Sequence, residues 1–197
     1  MPEPARPILS FYYTGASPLY PEMGINPICK FLPASVDSSM KQENRGLHFR
    51  SPEDIISEVH RLARAGYTRS GNWNLAQICS HLADWALYPL DGYPSVPGPV
   101  RALLALLRIT SGGRQLKNVL ENRGFGAGSP TIKESVHPEQ LDESAQIQRL
   151  ESALKRLASH TGTFHPSPLF GELNRETWIE VNLVHAEHHL AYLQASA

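Results

Sequence analysis

The chain has 197 residues, a formal net charge of −1, 41% hydrophobic residues and 19% charged residues. This is enough for one domain with residues to spare. The near-neutral charge gives no electrostatic footprint for nucleic acid, and no apolar run reaches the ~18–20 residues that cross a bilayer. The N-terminus MPEPARPILSFYY lacks the basic start and long apolar stretch of a secretion signal. Two distant cysteines, Cys29 and Cys79, make no disulfide framework, so a reducing cytoplasm is the expected location.

Seven of the 16 prolines fall within residues 1–33, where neither a helical nor a strand period survives. Residues 1–47 therefore read as an irregular, proline-rich extension without its own core, and a chain starting at Met40 is expected to fold. Residues 48–197 read as one helical domain. The first helix opens with SPED: Ser51 caps, Pro52 suits the first helical position, and Asp54 closes a capping box. Ile55, Val59 and Leu62 form its apolar face, and Gly66 ends it. The second helix opens at NWNLAQICSHLADWALY, with Asn74 as cap, Gln77 reaching back, and Trp73 and Ile78 at the staple positions; Pro89 marks its predicted end.

A third helical region starts near Pro99 with VRALLALLRI, breaks at Gly112-Gly113 and resumes to about Asn122. Its Arg101, Arg108, Arg114 and Lys117 suit the cationic outer edge of a bundle helix better than a membrane-surface helix. GFGAGSP reads as a loop. A fourth helix is predicted from about Pro138 to His160, with Leu141, Ile147, Leu150, Leu154 and Leu157 inward. After the loop HPSPLFGEL, Asn174 caps the last helix. Amphipathic helices joined by short or glycine-rich loops specify an all-α bundle.

Three of the nine histidines crowd into VNLVHAEHHLAYL near the C-terminus. Residues four apart share a helix face, so His185 and His189 face the same way. At 3.6 residues per turn, Glu176, Glu180, Glu187 and Gln194 form a polar stripe. His185 and His189 fall nearly opposite it, with Trp178, Val181 and Tyr192, and so point into the bundle; His188 lies on the flank. His81, in mid-helix beside Ile78, Leu82 and Trp85, supplies a third inward imidazole. His48, His137, His160 and His165 flank helices or lie in loops, and His60 sits beside Arg61 and Arg64. A single buried histidine is ordinarily a hydrogen-bonded core residue. An inward pair one turn apart, plus a third from another helix, instead makes a metal site from facing helices. Three protein ligands leave a coordination position open, the mark of a catalytic metal.

The zincin motif H-E-x-x-H is absent, and Glu187 is expected to face solvent, where it is a poor general base. Trp85, Tyr88, Trp178 and Tyr192 are candidate pocket walls or plain core aromatics. Asp84, Gln77 and Asn74 lie near the His81 face, where one of them is placed to orient its imidazole. His188 is a candidate supporting group beside the ligands, and Cys79 reads as a small apolar filler.

In order, His81 in NWNLAQICSHLADW and His185/His189 in VHAEHHLAYL resemble the DinB/YfiT-like metalloenzyme superfamily. The stretch HPSPLFGELNRETWIEVNLVHAEHHLAYL is similar to a branch of it with no assigned function. The resemblance covers residues 48–194 and leaves 1–47 outside. It implies a four-helix bundle in which one histidine of the second helix and an HxxxH of the last hold a divalent metal. Relatives bind zinc, nickel or iron, and characterised ones include transferases and isomerases that use low-molecular-weight thiols. The implied activity is a metal-dependent reaction on a small molecule, a thiol-dependent transfer or a hydrolysis. The other reading is a non-catalytic bundle with a structural metal or core histidines that acts through a protein partner. Exposed helix faces leave room for a homodimer.

Overall fold

The computed structural model describes residues 45–125 and 131–196. Most of the proline-rich extension, and the tip of the GFGAGSP loop, lie outside the described residues. The described chain is all-α apart from one short ribbon. Helices α1 (Pro52–Ala65), α2 (Leu75–Asp91), α5 (Glu143–Ser159) and α6 (Arg175–Leu190) pack around a common core. Helices α3 (Gly98–Leu107) and α4 (Gly113–Asn122) connect α2 to α5, and α4 packs on α6.

Local chemistry sets the helix starts. The Asp54 carboxylate accepts from the backbone N–H groups of Arg50 (2.7 Å) and Ser51 (3.1 Å). Asn74 and Gln77 exchange reciprocal side chain–backbone bonds of 2.9 and 3.0 Å, satisfying two donors that a helix start leaves orphaned. Asn174 accepts from Thr177 N–H at 2.9 Å and so opens α6.

Several boundaries differ from the sequence reading. Helix α2 runs past Pro89 to Asp91. A proline there removes only the bond to the Trp85 carbonyl in the last turn, and the Pro89 carbonyl accepts from His165 N–H at 2.8 Å. The predicted break at Gly112-Gly113 is a π-helical turn, Arg108–Gly112, that carries α3 into α4. Gly112 is required there: a Cβ would lie 2.4 Å from the Leu169 carbonyl oxygen. Helix α5 begins at Glu143 rather than near Pro138, because Asp142 caps it with a 2.7 Å bond from Ala145 N–H. Two strands, β1 (Tyr67–Arg69) and β2 (Leu193–Ala195), pair antiparallel, with Thr68 opposite Gln194. Each is too short to show alternation in sequence.

The core is continuous. Ile55, Val59 and Leu62 of α1 meet Leu75, Ile78, Leu82 and Ala86 of α2, and Ile147, Leu150, Leu154 and Leu157 of α5. Helix α2 is the most enclosed element, buried without interruption over residues 75–84, and next to it comes α6, buried without interruption over residues 181–187. Neighbours lie on several sides of it, since α1, α2, α4 and α5 all touch α6. This enclosure positions the site.

Candidate metal centre

The second helix and the last one bring three imidazoles to a point. His81 comes from the middle of α2, and His185 and His189 from successive turns of α6. His81 Nε2 lies 3.2 Å from His185 Nε2, which lies 3.0 Å from His189 Nε2. One ligand atom of each lies within 4.8 Å of those of the other two. Nitrogens bound at about 2.0–2.1 Å to one ion stand roughly 2.9 Å apart at right angles and about 3.3 Å apart in a tetrahedron. The His81–His185 and His185–His189 separations fall in that interval and the third lies within 4.8 Å, so the cluster is capable of coordinating a metal ion.

Protonation agrees with the geometry. His81 is buried, which drives its pKa down to about 4, opposed by the bond to the Ser135 carbonyl. His189 is pushed to about 2 by burial and by His81 and His188. Burial, then the three neighbouring histidines, lowers His185 well below the usual range. Burial also lowers His188. Each shift favours neutral imidazole, the form whose lone pair binds metal.

The tautomer of His81 is fixed from outside the triad. Its Nδ1 donates to the Ser135 carbonyl at 2.9 Å, so its Nε2 carries the lone pair turned toward His185. The segment holding Ser135 is fastened to α2 by further bonds. Gln77 Nε2 donates to the His137 carbonyl at 2.8 Å, and His137 Nε2 meets Asp84 Oδ2 at 2.6 Å. Arg149 of α5 donates to Asp84 Oδ1 at 2.5 Å and to the Ser80 carbonyl at 3.0 Å. Asp84 and Gln77 thus act on His81 at one remove, through the loop whose carbonyl orients the ring. A loop backbone carbonyl leaves no mark in the side-chain pattern.

Aromatic rings surround the imidazoles. Trp73 stacks on His189 with centroids 5.3 Å apart and planes 14° apart, and lies 4.8 Å from His81. Trp85 stands edge-on to His185 at 5.3 Å, and its indole N–H is buried with no protein acceptor. Phe125 also stands edge-on to His185, at 5.2 Å. Tyr88 touches Trp85 and is one ring removed from the triad; Tyr192 meets His188 rather than the ligands. Trp178 is a core residue, 2% exposed. His188 is half-buried, beside Phe125, His189 and Tyr192, and lies outside the converging cluster. Trp73 and Phe125 were not singled out in sequence as walls. Trp73 has the position of a helix staple, and Phe125 lies in a glycine-rich loop.

Glu187 corrects the sequence reading. The polar stripe holds at Glu176 and Glu180, which are exposed, but Glu187 is 5% exposed. Its carboxylate accepts from Phe49 N–H at 2.6 Å and pairs with the Arg123 guanidinium, which also donates to the Phe49 carbonyl at 3.1 Å. The chain before α1 and the end of α4 cover this part of α6, which helical phase alone does not reveal. Arg123 adopts a left-handed backbone (φ 45°) to end α4 there.

No helix among the described residues is long and apolar enough to cross a membrane. Neither a comparison with curated proteins nor one with solved structures gave a match. The chain matches a family model over residues 41–196, most of its length. The protein belongs to the family "Protein of unknown function (DUF1569)", the DinB-like branch that its paired histidine motifs resemble.

Proposed function

We propose that this protein is a divalent-metal-dependent enzyme acting on a small molecule, with a low-molecular-weight thiol as substrate or co-substrate in a transfer reaction. The observation that carries this reading is the convergence of three neutral imidazole nitrogens, 3.0 and 3.2 Å apart, from two helices. Among the described residues no other histidine, cysteine, aspartate or glutamate joins this cluster, so three protein ligands would leave a position for an exogenous group. When bound, zinc, nickel or iron would favour the thiolate over the thiol, or activate water in a hydrolase.

The chain's own contribution is orientation and desolvation. Ser135 holds His81 in one tautomer, the α6 helix fixes the spacing of His185 and His189, and Trp73, Trp85 and Phe125 limit water around them. A cytoplasmic setting, where such thiols are reduced, suits a chain whose two distant cysteines make no disulfide framework. The test is substitution with cobalt followed by a small thiol. A thiol entering the open position will change the visible absorption and add a sulfur-to-cobalt charge-transfer band. A spectrum unchanged across millimolar thiol would mean a closed, structural site. A response to anions and pH but not to thiol would favour the hydrolase.

A further inference from the structure

Helix α3 has the composition of a buried helix and none of its burial. Its ten residues, GPVRALLALL, include Val100, Leu103, Leu104, Leu106 and Leu107, yet none is buried. A helix apolar on most of its faces belongs inside a larger assembly. The large hydrophobics exposed among the described residues are Val100 (44%), Leu103 (55%), Leu106 (57%), Ile109 (81%) and the separate Val136 (47%). Val100, Leu103 and Leu106 form one slanting stripe, a ridge of α3, whereas Ile109, three residues on in the π turn, has turned to the far side from Val100. Helix α3 makes no extensive contact with any bundle helix. The rod is nonetheless fixed at its far end: Gly112 lies against the Leu169 carbonyl, and Arg108 packs on Gly171.

We propose that this stripe is the interface with a second copy of the same chain, the two α3 helices packing antiparallel about a two-fold axis. The surface is self-complementary, since Leu103 of one copy can meet Leu106 of the other, as an isologous contact requires. The three ridge side chains leave roughly 300 Å² of apolar surface in water, the size at which a patch on a monomer becomes an interaction site. A stable dimer uses about 800 Å² per partner; Leu104, Leu107, Pro99 and the alkyl stems of Arg101 and Arg108 border the stripe and extend it toward that area. A lipid surface fits less well. A helix lying in a bilayer interface has a broad charged face, whereas the charged residues of this segment are Arg101 and Arg108, seven apart on one line, with Ala102 and Ala105 beside it.

The test is sedimentation velocity on the full chain across micromolar concentrations, with Leu106→Glu and Leu103→Glu, and with Lys117→Glu as a control off the stripe. We expect a wild-type dimer, a Lys117→Glu dimer, and a rise of about 100-fold or more in the dissociation constant for each leucine variant, because the two-fold axis doubles every substitution. Neither leucine is buried, so the variants should keep wild-type helicity by circular dichroism. A wild-type monomer, or a dimer indifferent to both leucine variants, would overturn the proposal. So would a monomer that binds phosphatidylglycerol vesicles through this stripe. Metal content measured on the same samples reads the histidine centre separately, so either conclusion can fail without the other.

Discussion

Replacing Glu187 with alanine removes the acceptor for Phe49 N–H and the partner of Arg123 in one step. Deleting one side of a buried ion pair costs about 3–5 kcal/mol, because the remaining group stays desolvated and unpaired. The Arg123 side chain is 26% exposed and can regain some water, so the lower part of that range applies. For a domain of this size each kcal/mol moves Tm by roughly 2–4 °C, so Glu187→Ala should lower it by roughly 10 °C. Glu187→Gln keeps an acceptor for Phe49 and should lose less. The control is Glu180→Ala, exposed on the same helical stripe, which should stay within about 0.5 kcal/mol. Urea unfolding followed by circular dichroism measures all three, with the m-value checking that the transition keeps its size. If Glu187→Ala and Glu180→Ala were indistinguishable, Glu187 would face water as its helical phase suggests, and the fastening of residues 45–49 to α6 would be wrong.

Two other expectations follow from burial. In the metal-free protein the depressed pKa values of His81 and His189, about 4 and about 2, mean that the folded state refuses protons that the unfolded chain accepts below its ordinary 6.5. Stability is therefore unaffected by these groups above that pH and falls as pH drops below it, by about 1.4 kcal/mol per pH unit for each such histidine; a urea midpoint constant between pH 7 and 5 would refute the neutral triad. Cys79 is fully buried, and burial pushes its thiol pKa up, so in a Cys29→Ser background a thiol-reactive disulfide reagent should label Cys79 only at the rate of unfolding; rapid labelling under native conditions would show the core to be open there.

What the sequence made legible was local. Asn74–Gln77 and Asn174 declare their helix starts because capping needs residues three apart and nothing else. The shared face of His185 and His189 follows from helical geometry alone, and His81 from its place among Ile78, Leu82 and Trp85. The features that escaped depend on distant neighbours. Glu187 is polar by residue type and buried because the chain before α1 and the end of α4 cover it. The Ser135 carbonyl orients His81 across 54 positions, and Phe125 reaches His185 from a loop without periodicity. Pro89 and Gly112-Gly113 look like helix stops. The last turn of α2 tolerates the proline, and the π turn uses Gly112 for its close approach to Leu169. The sequence also assigned α3 to the bundle on its leucines, whereas Leu103 and Leu106 are left in water and Leu104 and Leu107 are only half-buried.

The central claim is that His81, His185 and His189 hold one divalent ion as a unit, with His188 outside it. The most direct measurement is elemental analysis and metal affinity of the protein purified without a histidine tag, alongside the four single histidine-to-alanine variants, each checked for helicity. We predict about one transition-metal ion per chain in the wild type, loss of most of it in the His81, His185 and His189 variants, and retention in His188→Ala with affinity lowered at most ~10–100-fold. A wild-type protein that stays metal-free after reconstitution, or four variants that all keep their metal, would contradict the claim.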